Sequence, residues 1–383
     1  MTARRWLRGR LLAGSFGGVA AALLVACLAT IDESRLERQP GTVPDAEGGF
    51  VDDAPSQEGG CVGCDPCGDG GCPPVTVAVG LSTPTLLAVG ADDVYVVDSD
   101  PADESRSRIK RVPRAAVSSS LAGEAGLVTS VSPKVTALVV TREPALYFAN
   151  GAAGGSIFRC SLPACTPTLF AESRSPILAL AAGPSLLYWS IDSLSRWGVT
   201  SCALGAKCDF PDQTLTSPTP VNGLTLFTRG VLVSELQNGI RTMALDGGGA
   251  TTVYKYPQVF PGPAGAALAV DGFAYWVEDE TPGPPTGPPR VVGCALEGCA
   301  APVALAENRK PRQLATDDVA LYWLEEGAAG GVMRCPRTGC SALTGGPTRF
   351  VADPSNPHSL EIRDSELFWT SRGAGELRRR RLR

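Results

Sequence analysis

A two-part motif recurs seven times in this chain, and it constrains the fold more than any other feature. Its second part is an apolar triplet: Val94-Tyr95-Val96, Leu146-Tyr147-Phe148, Leu187-Tyr188-Trp189, Val231-Leu232-Val233, Ala274-Tyr275-Trp276, Leu321-Tyr322-Trp323 and Leu367-Phe368-Trp369. The middle residues are 52, 41, 44, 43, 47 and 46 positions apart. Its first part is a proline 11 to 14 residues upstream: Pro84, Pro133, Pro176, Pro220, Pro263, Pro311 and Pro357. Between the two lies a short apolar run. Each copy reads as four short strands. In the third copy these are 177–181, 186–190, 198–202 and a run near Thr214, punctuated by Gly183-Pro184, Asp192-Ser193 and Gly205. Four strands per 40–50 residues is the period of a propeller blade. Blades stack face to face, so an inner strand is buried on both sides and need not alternate apolar with polar. The expected fold is all-β, a seven-bladed β-propeller of four-stranded blades, with the triplets packing blade against blade.

Strand counting supplies a closure. The last copy ends after 376–379 and is one strand short, whereas a spare strand, Val75–Val79, precedes the first copy. Pairing the two ends completes the seventh blade and removes the open sheet edges that invite aggregation. Residues 74–383 then give about 44 residues per blade, within the range expected for such repeats.

The N-terminus reads as an address. Arg4, Arg5, Arg8 and Arg10 precede an apolar run over 11–26, which is shorter than the ~20 residues of a membrane span and suits a secretory signal. The run ends Leu24-Val25-Ala26-Cys27, which resembles the bacterial lipobox. That resemblance implies cleavage after residue 26, a palmitate-bearing diacylglycerol anchor on Cys27, and a place in the cell envelope. Leu28, where an inner-membrane retention signal carries Asp, points to the outer membrane. Four arginines leave with the signal, which takes the formal net charge from −5 to −9. A nucleic-acid partner is not expected from such a chain. Residues 27–60 read as a lipidated cysteine and a disordered acidic tether, too polar to offset its ordering entropy.

The triplets also resemble the YWTD repeats of receptor propellers, Leu367-Phe368-Trp369-Thr370 being the nearest copy. Most copies lack the Asp, and that family usually has six blades. The whole layout of lipobox, spacer and repeats resembles secreted bacterial β-propeller lipoproteins. The resemblance implies a fold and an anchor, and no activity.

Thirteen cysteines suit an oxidising compartment. Cys160/Cys165, Cys202/Cys208, Cys294/Cys299 and Cys335/Cys340 each fall at the turn between the third and fourth strands of a repeat, where a hairpin brings two Cα atoms within bridging range. Cys61, Cys64, Cys67 and Cys72 form a tight Gly- and Asp-rich knot over 61–73, with two bridges in any of three connectivities. Ligand-like spacing allows a metal or cluster there as well, but export in the unfolded state argues against it.

Catalytic motifs are missing from the sequence: it has no Walker loop, no Gly-x-Ser-x-Gly and no His-Glu-x-x-His. The segment after each triplet is often acidic, with Asp98, Asp192, Glu235, Glu278, Asp279, Glu325 and Glu326. These segments converge on one face of a propeller. They form either a solvated loop face or a ring of carboxylates for a cation or a basic partner. The single histidine, His358, is expected as an exposed loop residue on that face. The run Arg378, Arg379, Arg380 and Arg381 is expected as a solvated tail or a contact for acidic lipid or polysaccharide. The expected function is a monomeric, lipid-anchored binding or scaffold module for a protein or polysaccharide, with no enzyme activity, cofactor or metal. The alternatives are a lyase- or glycosidase-like propeller enzyme acting through the mouth carboxylates, and a surface adhesin.

Overall fold

The computed structural model describes residues 72–382 apart from 104, 124, 152–153, 174, 194–195, 237, 257–264, 266, 279–288, 308–309, 328, 338–339 and 341–345. The signal, Cys27, the tether, Cys61, Cys64, Cys67, Pro263 and Asp279 lie outside the described residues; Cys72 lies within them and is disulfide-bonded.

All regular structure among the described residues is β-strand. Seven sheets form: six are antiparallel and each comes from one stretch of chain, and the seventh joins strands from both ends. Blades 1 to 6 span 84–131, 135–172, 180–217, 221–255, 268–307 and 311–352. Blade 7 takes Pro357–Arg363, Glu366–Ser371 and Glu376–Arg381 from the C-terminus and Val75–Val79 from the N-terminus. The pairs Val75 with Arg379, Thr76 with Arg378 and Ala78 with Leu377 make the closure anticipated from strand counting. The first strand of each blade touches the first strand of the next, and Pro357–Arg363 touches Pro84–Val89, so the ring is shut.

The triplet explains itself in this arrangement. Successive residues of a strand point to opposite faces. The middle residue of one triplet therefore packs against the last residue of the next. Tyr95 shares a core cluster with Phe148, Tyr147 with Trp189, Tyr188 with Val233, Leu232 with Trp276, Tyr275 with Trp323, Tyr322 with Trp369, and Phe368 with Val96. Trp189, Trp276, Trp323 and Trp369 are at most 1% exposed. Burying a large apolar side chain stabilises by roughly 1.5–3 kcal/mol, so the belt is the main hydrophobic glue of the ring.

Two features depart from the sequence reading. The inner strand of blade 3 starts at Leu180 and not at 177, because the Ser190 hydroxyl oxygen accepts from the Leu178 and Ala179 amides in place of a ladder. The long first spacing of 52 residues holds an insertion whose two-residue strand, Ser119–Ser120, runs parallel to Val75–Val79 and covers the outer edge of blade 7. A recurring glycine was also missed. Gly239 (φ +133°) and Gly331 (φ +145°) open third strands where a Cβ would overlap the carbonyl of Tyr254 or Val351 on the fourth.

Candidate functional site

The described prolines and the strand-2 ends share one face of the ring, and the inner strands begin there. Pro84, Pro311 and Pro357 are the first residues of their strands, a position where the missing N–H costs no ladder bond. Immediately after, the ladder slips. Bulges fall at Thr85, Thr136, Asn222 and Gln313, and across His358 and Ser359. A bulge leaves its extra residue unpaired and re-aims its side chain. A polar side chain recurs at this position, and three of them bond to the backbone of the next blade. The Thr136 hydroxyl donates to Ile177 O at 2.7 Å, Gln313 Oε1 accepts from Leu360 N at 3.1 Å, and His358 Nδ1 lies 2.7 Å from Thr85 O. A carbonyl only accepts, so His358 carries its proton on Nδ1 and keeps Nε2 free of that bond. His358 is half-buried on a strand, not a loop residue as the sequence suggested.

Of these side chains, Thr85, Thr136 and His358 line a cavity of about 640 Å³ at the mouth of the channel, walled by blades 1, 2, 3 and 7. Its lining includes Thr83, Thr85, Lys134, Thr136, Leu178, His358 and Arg372. Leu178 is 40% exposed into it. Asp100 is the one carboxylate among the described lining residues, and Arg108 sits on it at 3.4 Å.

The acids expected around this mouth are mostly elsewhere, which corrects the picture of an exposed carboxylate ring. Asp98, Glu235, Glu278 and Glu325 are 0–8% exposed. Each follows the last triplet residue by two and shares its face of the strand, so it is carried into the blade interface. There each is held. Asp98 accepts from the Ser82 and Thr83 amides at 2.8 Å and pairs with buried Lys110 at 3.6 Å. Glu235 pairs with Arg241 at 3.1 Å. Glu278 takes Arg290 at 2.6 Å, the Tyr256 hydroxyl at 2.9 Å and the Trp276 indole at 3.2 Å. Burial, reinforced by this carboxylate, drives the Tyr256 phenol well above its ordinary range. Glu325 accepts from the Trp323 indole at 3.0 Å. Asp192 is half-buried under the Trp197 indole at 2.8 Å, and Glu326 lies 3.3 Å from Arg312. Blade 7 has Ser371 at the equivalent place and borrows its acid, Asp353, from the preceding loop. The Trp-x-Glu spacing at 276/278 and 323/325 was the signal that marked these acids as indole partners.

The C-terminal arginines are corrected likewise. Arg378 pairs with Asp353 at 3.4 Å and Glu376 at 2.6 Å, Arg379 with Glu366 at 3.2 Å, and Arg380 lies 3.9 Å over the Phe350 ring. Only Arg381 of the four is exposed.

The opposite face carries the hairpin bridges. Cys160–Cys165, Cys202–Cys208, Cys294–Cys299 and Cys335–Cys340 are all formed, with Cα separations of 4.8, 6.1, 6.0 and 5.4 Å. A second, apolar concavity of about 830 Å³ lies there between blades 5 and 6, lined by Phe273, Val303 and Val319 with the Asp271–Arg337 ion pair. No three His, Cys, Asp or Glu side chains cluster as metal ligands among the described residues.

Fold and mouth together define the class, a closed seven-bladed β-propeller with a polar cavity at one end of its channel. Virginiamycin B lyase from Staphylococcus aureus superposes with a TM-score of 0.58 at 14% identity, over 80% of this chain and 97% of that one. A catalytically inactive variant of that lyase, solved with quinupristin, gives 0.56 at 13% over 78% and 94%. The Cps50 (Swd1) β-propeller domain from Myceliophteria thermophila gives 0.53 at 8% over 81% and 100%. At these identities the likeness is one of fold. No family model matches the chain, and neither does any curated protein.

Proposed function

We propose that this chain is a binding or scaffold module of the cell envelope, lipid-anchored through Cys27 to the outer membrane, with its ligand seat at the channel mouth. One observation carries the seat: a cavity of about 640 Å³ whose polar walls come from four blades. That volume lies in the range of small-molecule sites, and a seat built on inner strands is rigid. Four hairpin disulfides support an oxidising compartment. The Leu24-Val25-Ala26-Cys27 box and the acidic stretch behind it support an anchor on a spacer. The chain acts as a monomer, and its partner is a saccharide or a protein that presents a small group to the mouth.

The anchor is tested by Cys27→Ala, which should move the protein from the membrane to the soluble fraction and abolish lipid mass on the mature N-terminus. The seat is tested by Leu178→Trp, which fills the cavity from an exposed wall position. Native mass spectrometry of the chain recovered from envelopes should show a bound small molecule in wild type and none in the variant. A chain that carries no ligand in either form overturns the seat.

A second reading, a lyase-type enzyme, rests on His358, whose Nδ1–H bond to Thr85 O leaves Nε2 available as a base in the cavity. Mass spectrometry of quinupristin incubated with the wild-type chain and with His358→Ala decides it. Conversion by wild type alone supports the enzyme, and no conversion by either removes it.

A further inference from the structure

We propose that the channel mouth binds an acidic sugar, its anionic group held between Lys134 and Arg372 and its hydroxyls by Thr85 and Thr136. The inference rests on the mouth being the ligand seat and adds the class of ligand. The sign of the site is the reverse of the sequence expectation, because the acids near this face turn inward while Lys134 and Arg372 stay exposed. Lys134 and Arg372 are exposed, line the cavity from blade 2 and blade 7, and meet no carboxylate among the described residues. The cavity's one carboxylate, Asp100, is neutralised by Arg108 at 3.4 Å and accepts from Ala102 N at 2.9 Å. The described lining together with Arg108 therefore carries a net charge of +2, three cations against one carboxylate, in a chain whose formal net charge is −5. A cavity that concentrates one sign of charge against a molecule of the opposite sign draws in ligands of its counter-sign.

The remaining chemistry selects a sugar over a simple anion. Thr85 Oγ1 donates to Val97 O at 3.3 Å and Thr136 Oγ1 to Ile177 O at 2.7 Å. Their protons are committed, so both hydroxyl oxygens can only accept, and they suit a ligand rich in O–H donors. Leu178 and Leu86 offer an apolar wall for the C–H face of a ring. Carboxylated and phosphorylated sugars share this chemistry, and the probes distinguish them.

The test is calorimetric titration of the full chain in detergent with glucuronate, glucose 6-phosphate and glucose. Expected is binding of one or both acidic sugars at least tenfold tighter than glucose, since each charge-assisted contact is worth about a decade of affinity. Lys134→Ala and Arg372→Ala should each weaken it roughly tenfold, and raising NaCl from about 50 to about 500 mM should weaken it further. Both residues are exposed and unpartnered, so an unchanged melting temperature confirms that the variants fold. Glucose binding as tightly as its acidic forms, with Leu178→Trp still abolishing it, overturns the anionic ligand and leaves the seat intact. No binding of either acidic sugar up to about 10 mM, or binding untouched by Lys134→Ala/Arg372→Ala, also overturns the proposal.

Discussion

Blades 6 and 7 are neighbours with the same strand order and opposite means of holding together. Blade 6 is one continuous stretch of chain, 311–352, with its outer hairpin pinned by Cys335–Cys340. Blade 7 is assembled from both ends of the propeller, and the described residues give it no disulfide. In its place stands a buried polar knot. Asp353, 0% exposed, accepts from the Trp369 indole at 2.8 Å, the Ser371 hydroxyl at 3.0 Å and the Ser355 amide at 3.0 Å, with Arg378 at 3.4 Å. The seam to blade 1 is tied by Arg114 to Asp364 and Glu366 at 2.7 and 2.9 Å, and by the Val89 amide to Glu361 at 3.1 Å. A local hairpin can be held by a short covalent loop. A junction of distant chain segments has to be held by side chains that recognise one another.

The contrast breaks most completely if the N-terminal strand is removed. Deleting 74–80 should strip the Glu376–Arg381 strand of its partner and expose an apolar edge. The expected result is loss of the cooperative melt and aggregation, seen by calorimetry and light scattering. A monomeric variant melting as wild type would show that closure contributes little.

Asp353→Ala attacks the same seam through one side chain. It leaves a buried indole N–H, a hydroxyl and an arginine without their acceptor, a class of change that costs about 3–5 kcal/mol. Denaturant titration should show this, against near-neutral behaviour for alanine at exposed Glu307 of blade 5.

Glu361 gives the seam a pH dependence. Burial raises its carboxyl to about 7 from an ordinary 4.5, although the Val89 amide and Arg363 oppose the shift. Between those values the folded chain keeps a proton that the unfolded chain has released. The contribution is complete below about 4.5 and is lost as pH rises through 7, by on the order of 3 kcal/mol at most. Stability curves at pH 5.5 and 8 should differ in this direction, and Glu361→Gln should flatten the difference.

The smallest effect belongs to blade 6. Cys335→Ser/Cys340→Ser opens a ring with a sequence separation of 5, worth about 2 kcal/mol by loop entropy. It should lower the melting temperature without loss of cooperativity. A loss as large as that of Asp353→Ala would erase the distinction between the two blades.

The repeat made the architecture legible. Tyr95, Tyr147, Tyr188 and their counterparts sit at one place in every blade, so their spacing counted the blades. Val75–Val79 was legible as the closing strand because one strand was missing at the far end. The cysteine pairs were legible because a hairpin turn is local. The mouth was not. Asp98, Glu235, Glu278 and Glu325 look like loop acids in one dimension, yet strand alternation carries them into the interface, where indoles and cations wait. Lys134 and Arg372 carried no motif at all, and His358 looked like a loop residue.

The sequence by itself determined the number of blades, their order, the local bridges and the ends that close the ring, because each depends on period or on short separation along the chain. The tertiary structure decided which charges face water and which are locked away, and so the sign of the channel mouth. That choice depends on pairings such as His358 with Thr85 and Asp353 with Trp369, between residues that only the closing of the ring brings together.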